Sequence, residues 1–179
     1  MTPQQRYYLK NKERLLKESR ERYYKNIEAE KGRAKLYHEL NKDAIKENRR
    51  LKAKQKRAQD PLFKLKSNVS RRIRYILKMN GSSKSGQSIL KYLGYSIQDL
   101  KNHLELQFES WMNWNNYGTY NVSIWDDNDV STWTWQLDHI IPQANLPYIS
   151  MDDNNFKKCW SLSNLRPLAS KENFIKGSR

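Results

Sequence analysis

The sequence predicts an α+β protein in two parts, an extended basic α-helical N-terminal region followed by a compact domain with an aromatic core. Three observations lead there. Positive charge is confined to one half: residues 1 to 80 hold 25 Lys and Arg against 9 Asp and Glu, whereas residues 81 to 179 hold 9 against 10. Five of the six Trp (Trp111, Trp114, Trp125, Trp133 and Trp135) fall between residues 111 and 135, and none lies in the first eighty. Hydrophobic residues make up only 37% of the chain and the mean hydropathy is -1.03, too little apolar material to wrap one globule around all 179 residues.

Residues 3 to about 58 read as helix, because strong helix formers dominate, Pro is absent after Pro3 and Gly32 is the only glycine. A loose repeat runs through this stretch. It superposes Asn11, Asn26 and Asn41 at a spacing of fifteen residues, each preceded by Tyr or Tyr plus Leu and followed two residues later by an acid (Glu13, Glu28, Asp43). Such a repeat suggests successive similar helical units. Asp60 before Pro61 then marks a break and an N-cap. Beyond it Leu62, Leu65, Val69, Ile73, Ile76 and Leu77 recur at helical spacing with Arg71, Arg72 and Arg74 between them, an amphipathic basic helix over 61–79.

The Gly-Ser-rich piece over 81–87 reads as a flexible connector, so the expected division is a helical region at 1–80 and a domain at 88–179. Within that domain Ser96 and Asp99 outline a capping box for a helix whose buried face is Leu100, Leu104 and Phe108. STWTWQLDHII alternates as a strand does, with Trp133, Trp135 and Leu137 in one phase. The Trp residues read as core or rim aromatics rather than base-stacking platforms.

A basic stripe of this density is an electrostatic footprint for a polyanion, and each Lys or Arg that neutralises a phosphate releases a counterion. Arg49, Arg50, Lys52, Lys54, Lys56, Arg57, Arg71, Arg72 and Arg74 are the expected backbone contacts, and duplex DNA is the expected partner. A membrane surface is the competing reading. It is disfavoured because the first eighty residues carry no Trp and one Phe, Phe63. No run of about 18 apolar residues exists, and the N-terminus lacks a signal-peptide core, so a cytoplasmic protein is expected. The single cysteine, Cys159, excludes an internal disulfide and any Cys-pair zinc knuckle.

The segment from Trp135 to Arg179 carries an ordered set of residues: Asp138-His139 followed by Ile140, Ile141 and Pro142, then Cys159-Trp160, then Asn164-Leu165-Arg166-Pro167-Leu168, then Asn173 and Lys176. This set resembles the HNH, or ββα-metal, endonucleases, especially the free-standing form common in phage genomes. With the lead-in GYSIQDLKNHLELQF and WNNYG, the resemblance covers roughly residues 90 to 179. It implies a ββα core over about 132–177: a strand ending at His139, a long loop, a second strand near Leu165 to Leu168, and a helix from about Ser170 that presents Asn173. It also implies a metal-dependent DNA endonuclease, of the kind found among homing, restriction, packaging and defence nucleases, in the host cytoplasm if phage-encoded.

Chemistry gives the same residues tasks. Phosphodiester hydrolysis needs an activated water and a charge-neutralising cation. His139 titrates near neutrality and serves as base, while Asp138 and the Asn173 amide oxygen are hard ligands suited to Mg2+ or Mn2+. The resemblance implies that Asn164 holds the His139 imidazole by a hydrogen bond, and Arg166 and Lys176 are expected to contact phosphate. No structural zinc is expected.

Other polar groups read as structural. His38 and His103 lack ligand-spaced companions, Asp152 and Asp153 read as a helix start with its N-cap, Asp126, Asp127 and Asp129 as a solvated loop, and Cys159 as a buried core thiol. Two rivals remain: a DNA-binding or packaging-associated protein with a catalytically silent fold, and an RNA-directed nuclease. Whether the chain acts as a homodimer, and so cuts one strand or two, stays open.

Overall fold

The computed structural model describes residues 1–177; the last two residues of the expected domain lie outside the described residues. The chain divides into two compact units, Met1–Lys54 and Gln55–Arg179, and the fold class is α+β.

The first unit is helical. Helix α1 (Pro3–Lys25) opens with a capping box in which the Thr2 hydroxyl accepts from the Gln5 amide and Gln5 returns the bond to the Thr2 N–H. Helix α2 (Ile27–Leu40) follows after Asn26, and α3 (Lys42–Gln59) after Asn41; no residue of the three is buried. The stretch read as helix over 3–58 is three successive helices, divided at two of the repeat asparagines. Asn26 and Asn41 donate their side-chain amides to the carbonyls four residues back, Arg22 at 3.0 Å and Tyr37 at 2.8 Å. Asn11 makes the same bond to Tyr7 at 2.9 Å inside an unbroken helix, so the bond identifies the repeat but does not alone break a helix.

In the second unit, helix α4 (Pro61–Met79) starts where Asp60 accepts from the Phe63 amide at 2.9 Å. Its Leu65, Val69, Ile73 and Leu77 are fully buried, at spacings of four that line one helical face. Each such burial contributes about 1.5–3 kcal/mol. The expected placement of residues 61–80 in a separate arm is thus corrected. Helix α4 carries basic residues outward, but its apolar stripe is part of the core formed with Ile89, Leu100, Trp135, Phe156 and Trp160, and the division falls between residues 54 and 55 rather than at 81–87.

Helix α5 (Ile97–Glu105) begins with the capping box of Ser96 and Asp99 and buries Ile97, Leu100 and Leu104. Phe108 lies just past its end and packs on Trp114 and Trp135. Strand β1 (Trp135–His139) pairs antiparallel with β2 (Leu165–Ala169), Trp135 opposite Ala169 and His139 opposite Leu165. Between them runs a long loop carrying the short helix α6 (Asn154–Cys159), and β2 leads directly into α7 (Ser170–Gly177). With two strands both are edges, so Pro167 sits in β2 at little cost. Asp153 precedes α6 as expected, but its carboxylate caps the preceding turn, accepting from Ile149 and Ser150, and makes no bond to the helix.

All six Trp lie beyond residue 110, so tryptophan fluorescence reports the second unit. In urea, Ile73→Ala should lower its stability by about 2–5 kcal/mol, whereas Leu51→Ala in exposed α3 should change it by less than about 0.5 kcal/mol. Equal midpoints for the two variants would return α4 to the arm.

Candidate active site

Strand β1 delivers Asp138 and His139 at its end, and alternation sends their side chains to opposite sides. Asp138 is only 5% exposed, and a buried carboxylate requires partners. It has two. Arg166, its cross-strand neighbour in register, donates from Nε at 3.0 Å. Lys176, reaching from α7, places its ammonium 2.9 Å from Oδ1 and 2.8 Å from Oδ2 and also donates to the His139 carbonyl at 2.6 Å. Arg166 and Lys176, expected to meet phosphate, are both engaged on Asp138.

His139 is partly buried, with its ring edge-on to Trp160 at 4.6 Å between centroids. Burial above all pushes its pKa down to about 4; Asp138 opposes the shift, and the charges of Arg72 and Lys176 assist it. The imidazole is therefore neutral at physiological pH, the form that can accept a proton. The Gln143 side-chain amide nitrogen lies 3.5 Å from its Nε2.

Asn164 does not hold that ring. Its side chain is buried and spent on backbone: Oδ1 accepts from the Ile141 amide at 2.7 Å, and Nδ2 donates to Cys159 O at 2.9 Å and Ile141 O at 3.3 Å. The Asn164 carbonyl also accepts from Ile140 at 2.8 Å. Asn164 thus fixes the turn that leaves His139 and ties it to the end of α6, and the expected imidazole bond is corrected to a backbone staple.

Asn173 occupies the expected helix, α7, but its Nδ2 donates to Gln136 Oε1 at 2.9 Å. Gln136 precedes Asp138 by two residues on the same face of β1, and Asn173 precedes Lys176 by three on α7, so the two pairs form consecutive rungs between strand and helix. Asp138 and Asn173, expected as ligands of one metal, thus each hold a protein partner here, in neighbouring rungs. Among the described residues no group of three or more His, Cys, Asp or Glu is placed to hold a metal. The donor types fit a hard divalent cation nonetheless, because the Asp138 carboxylate already holds a cation, the Lys176 ammonium, against both its oxygens.

Helix α4 contributes unexpectedly. Arg72 Nε donates to Gln143 Oε1 at 2.5 Å, and Gln143 in turn stands beside His139 and the Cys159 thiol. Cys159 is buried and its pKa is pushed up to about 11 by that burial, so it remains a protonated core thiol. Sequence reasoning missed Gln143 and Gln136 as parts of the site, and had Trp160 only as a position of the ordered set. The signal for Gln143 was only its position four residues after His139. Of the other basic candidates, Arg49, Lys52, Lys54, Lys56 and Arg74 are exposed, Arg50 is paired with Glu47, Arg71 with Asn68, and Arg57 is partly covered. His103 bonds the Leu165 carbonyl at 2.9 Å and is a packing residue. In the Asp126 to Asp129 loop, Asp127 is tied to Lys171 on α7.

No family model matches the chain, and no solved structure matches it. An uncharacterized protein of Acanthamoeba polyphaga mimivirus is 27% identical over 173 residues, 97% of this chain and 65% of that protein. The chain thus spans less than two thirds of that relative's length. Among the described residues no helix is long and apolar enough to cross a membrane.

Unfolded, the His139 imidazole takes a proton near its ordinary value of 6.5; folded, near 4. Between those values the unfolded chain binds more protons, so stability falls as pH is lowered. The melting temperature of the wild type should therefore drop more steeply between pH 6.5 and 4 than that of His139→Gln. Parallel profiles would show that the ring is not desolvated.

Proposed function

We propose that the chain is a metal-dependent DNA endonuclease of the HNH, or ββα-metal, class. One observation carries the reading: consecutive residues at the end of one strand present a buried carboxylate in contact with a cation and an imidazole kept neutral. A strand, a second strand and a following helix bear Asp138, His139, Arg166, Asn173 and Lys176 in the order the resemblance implies, and Asn164 braces the turn between them.

In this reading His139 takes the proton of the attacking water. A phosphate beside it shares the positive charges of Arg72 and Lys176, which depress the imidazole pKa, and so raises the basicity of the ring. Asp138 and Asn173 would hold Mg2+ or Mn2+, which when bound supplies Lewis acidity at the phosphate and neutralises the departing 3' oxygen. With a cation held there, the Lys176 ammonium would be free to meet the phosphate. Trp160 and Asn164 keep the ring and the turn in place. The exposed Lys and Arg of residues 46 to 57 add salt-dependent affinity for duplex DNA.

A second reading has its own observation. Arg166 and Lys176 together more than neutralise Asp138, as befits a DNA-binding protein whose fold does no chemistry. The two separate on supercoiled plasmid incubated with Mg2+, Mn2+ or EDTA. The nuclease reading predicts metal-dependent nicking that His139→Ala lowers by at least about 100-fold with little change in binding, the nicked form preceding the linear one if a monomer acts. Binding without cutting under any metal favours the silent protein, and cutting of RNA in preference to DNA favours an RNA-directed nuclease.

A further inference from the structure

Helix α4 lies outside the strand, strand and helix that carry the proposed chemistry, yet it sends one side chain to their edge. Arg72 is exposed at its Cα position on α4 and could have pointed to solvent like Arg74. Instead two neighbours hold it. Its guanidinium carbon lies 5.6 Å from the centroid of the Tyr75 ring, stacked within cation–π range. Its Nε donates to Gln143 Oε1 at 2.5 Å, across 71 residues of sequence. Gln143, with its carbonyl committed to Arg72, turns its amide nitrogen toward His139 Nε2 at 3.5 Å.

The consequence is geometric. A guanidinium bound through Nε is left with its two terminal nitrogens, a planar fork of donors matched to two oxygens of a phosphate. That fork is anchored one residue, Gln143, away from the nitrogen of the proposed base. The positive charge of Arg72 reaches the same pocket, since it lowers the pKa of His139 and opposes the upward shifts of Tyr148 and Cys159. Arg166 and Lys176 are occupied by Asp138 on the other side of β1. On the imidazole side, Arg72 is tied through Gln143 to the ring itself.

We propose that Arg72, held by Tyr75 and Gln143, binds the scissile phosphate beside His139, so that the nuclease centre is completed by helix α4 rather than by the strand, strand and helix alone. The proposal rests on the nuclease reading and narrows it. Arg72 touches substrate directly, and Gln143 is a positioning residue that sets both the fork and the ring. No bond is made or broken by Arg72; its donors stabilise the charge that grows on the phosphate oxygens as water adds.

The test is single-turnover cleavage of duplex DNA by the full chain, alongside DNA affinity, for wild type, Arg72→Ala, Arg72→Lys and Arg74→Ala. Arg72 lies on the exposed side of α4, so its variants keep the buried stripe, and their melting temperatures check this. Expected is a loss of about 100-fold in the cleavage rate at saturating DNA for Arg72→Ala, with affinity within about threefold and with partial rescue by added guanidinium. Arg72→Lys should recover little, because an ammonium lacks the fork, and Arg74→Ala should lose affinity while keeping the cleavage rate at saturating DNA. Cleavage by Arg72→Ala at the wild-type rate, in a preparation where His139→Ala is dead, would overturn the assignment and leave the nuclease reading standing. A rate loss equal in Arg72→Ala and Arg74→Ala, and tracking affinity, would also overturn it, reducing Arg72 to a general backbone contact. A wild type that cuts under no metal would remove both.

Discussion

The second unit is organised around one buried charge. Asp138 sits at the end of β1 with almost no access to water, and a carboxylate in that setting is tolerated only when cations and hydrogen bonds compensate its lost hydration. Arg166 supplies one cation from β2 and Lys176 the other from α7, so a single side chain links both strands and the following helix. The same Lys176 ammonium also donates to the His139 carbonyl, which fixes the backbone at the residue that carries the imidazole. The sheet register and the direction of α7 are thereby coupled to the position of the proposed base.

The remainder of the unit keeps that corner rigid and dry. Trp135 is fully buried beneath Phe108, Trp114 and Tyr117, and its indole N–H donates to Asn113 O at 2.7 Å, so the start of β1 is clamped as firmly as its end. On the other side Trp160 backs the imidazole while its own N–H meets Tyr148 and its carbonyl accepts from Tyr95. Helix α4 closes this layer with four fully buried aliphatic residues. A catalytic group needs such support because small displacements of a base from its water cost rate steeply.

Much of this was legible locally. The N-caps at Asp60 and Ser96 and the span of α4 follow from capping chemistry and from hydrophobic period, which act over a few residues, whereas the end of β1 at His139 and the start of α7 at Ser170 were implied by the resemblance. What escaped were choices between partners distant in sequence. The apolar stripe of α4 was visible, but nothing local said that it packs against α5 in the core that also holds Trp135 and Trp160. Asn164 was singled out for the His139 imidazole, but whether its amide meets an imidazole or three backbone groups is decided by how the long loop between β1 and β2 closes. Asn173 likewise faces Gln136 because of the phase between β1 and α7, and periodicity within either element does not reveal it. The breaks at Asn26 and Asn41 fell on a repeat already apparent, but Asn11 makes the same bond without a break, so the repeat alone does not announce them.

The central claim is that Asp138 and Asn173 exchange their present partners for a divalent cation next to His139. The most direct measurement is the 15N–1H spectrum of the labelled protein titrated with substoichiometric Mn2+ in the presence of a short duplex, whose paramagnetism broadens amides near the ion. The account predicts that Asp138, His139 and Asn173 lose intensity first and that Asp138→Ala abolishes the effect. Broadening centred on Asp126 to Asp129, or none above that caused by free Mn2+, would contradict it.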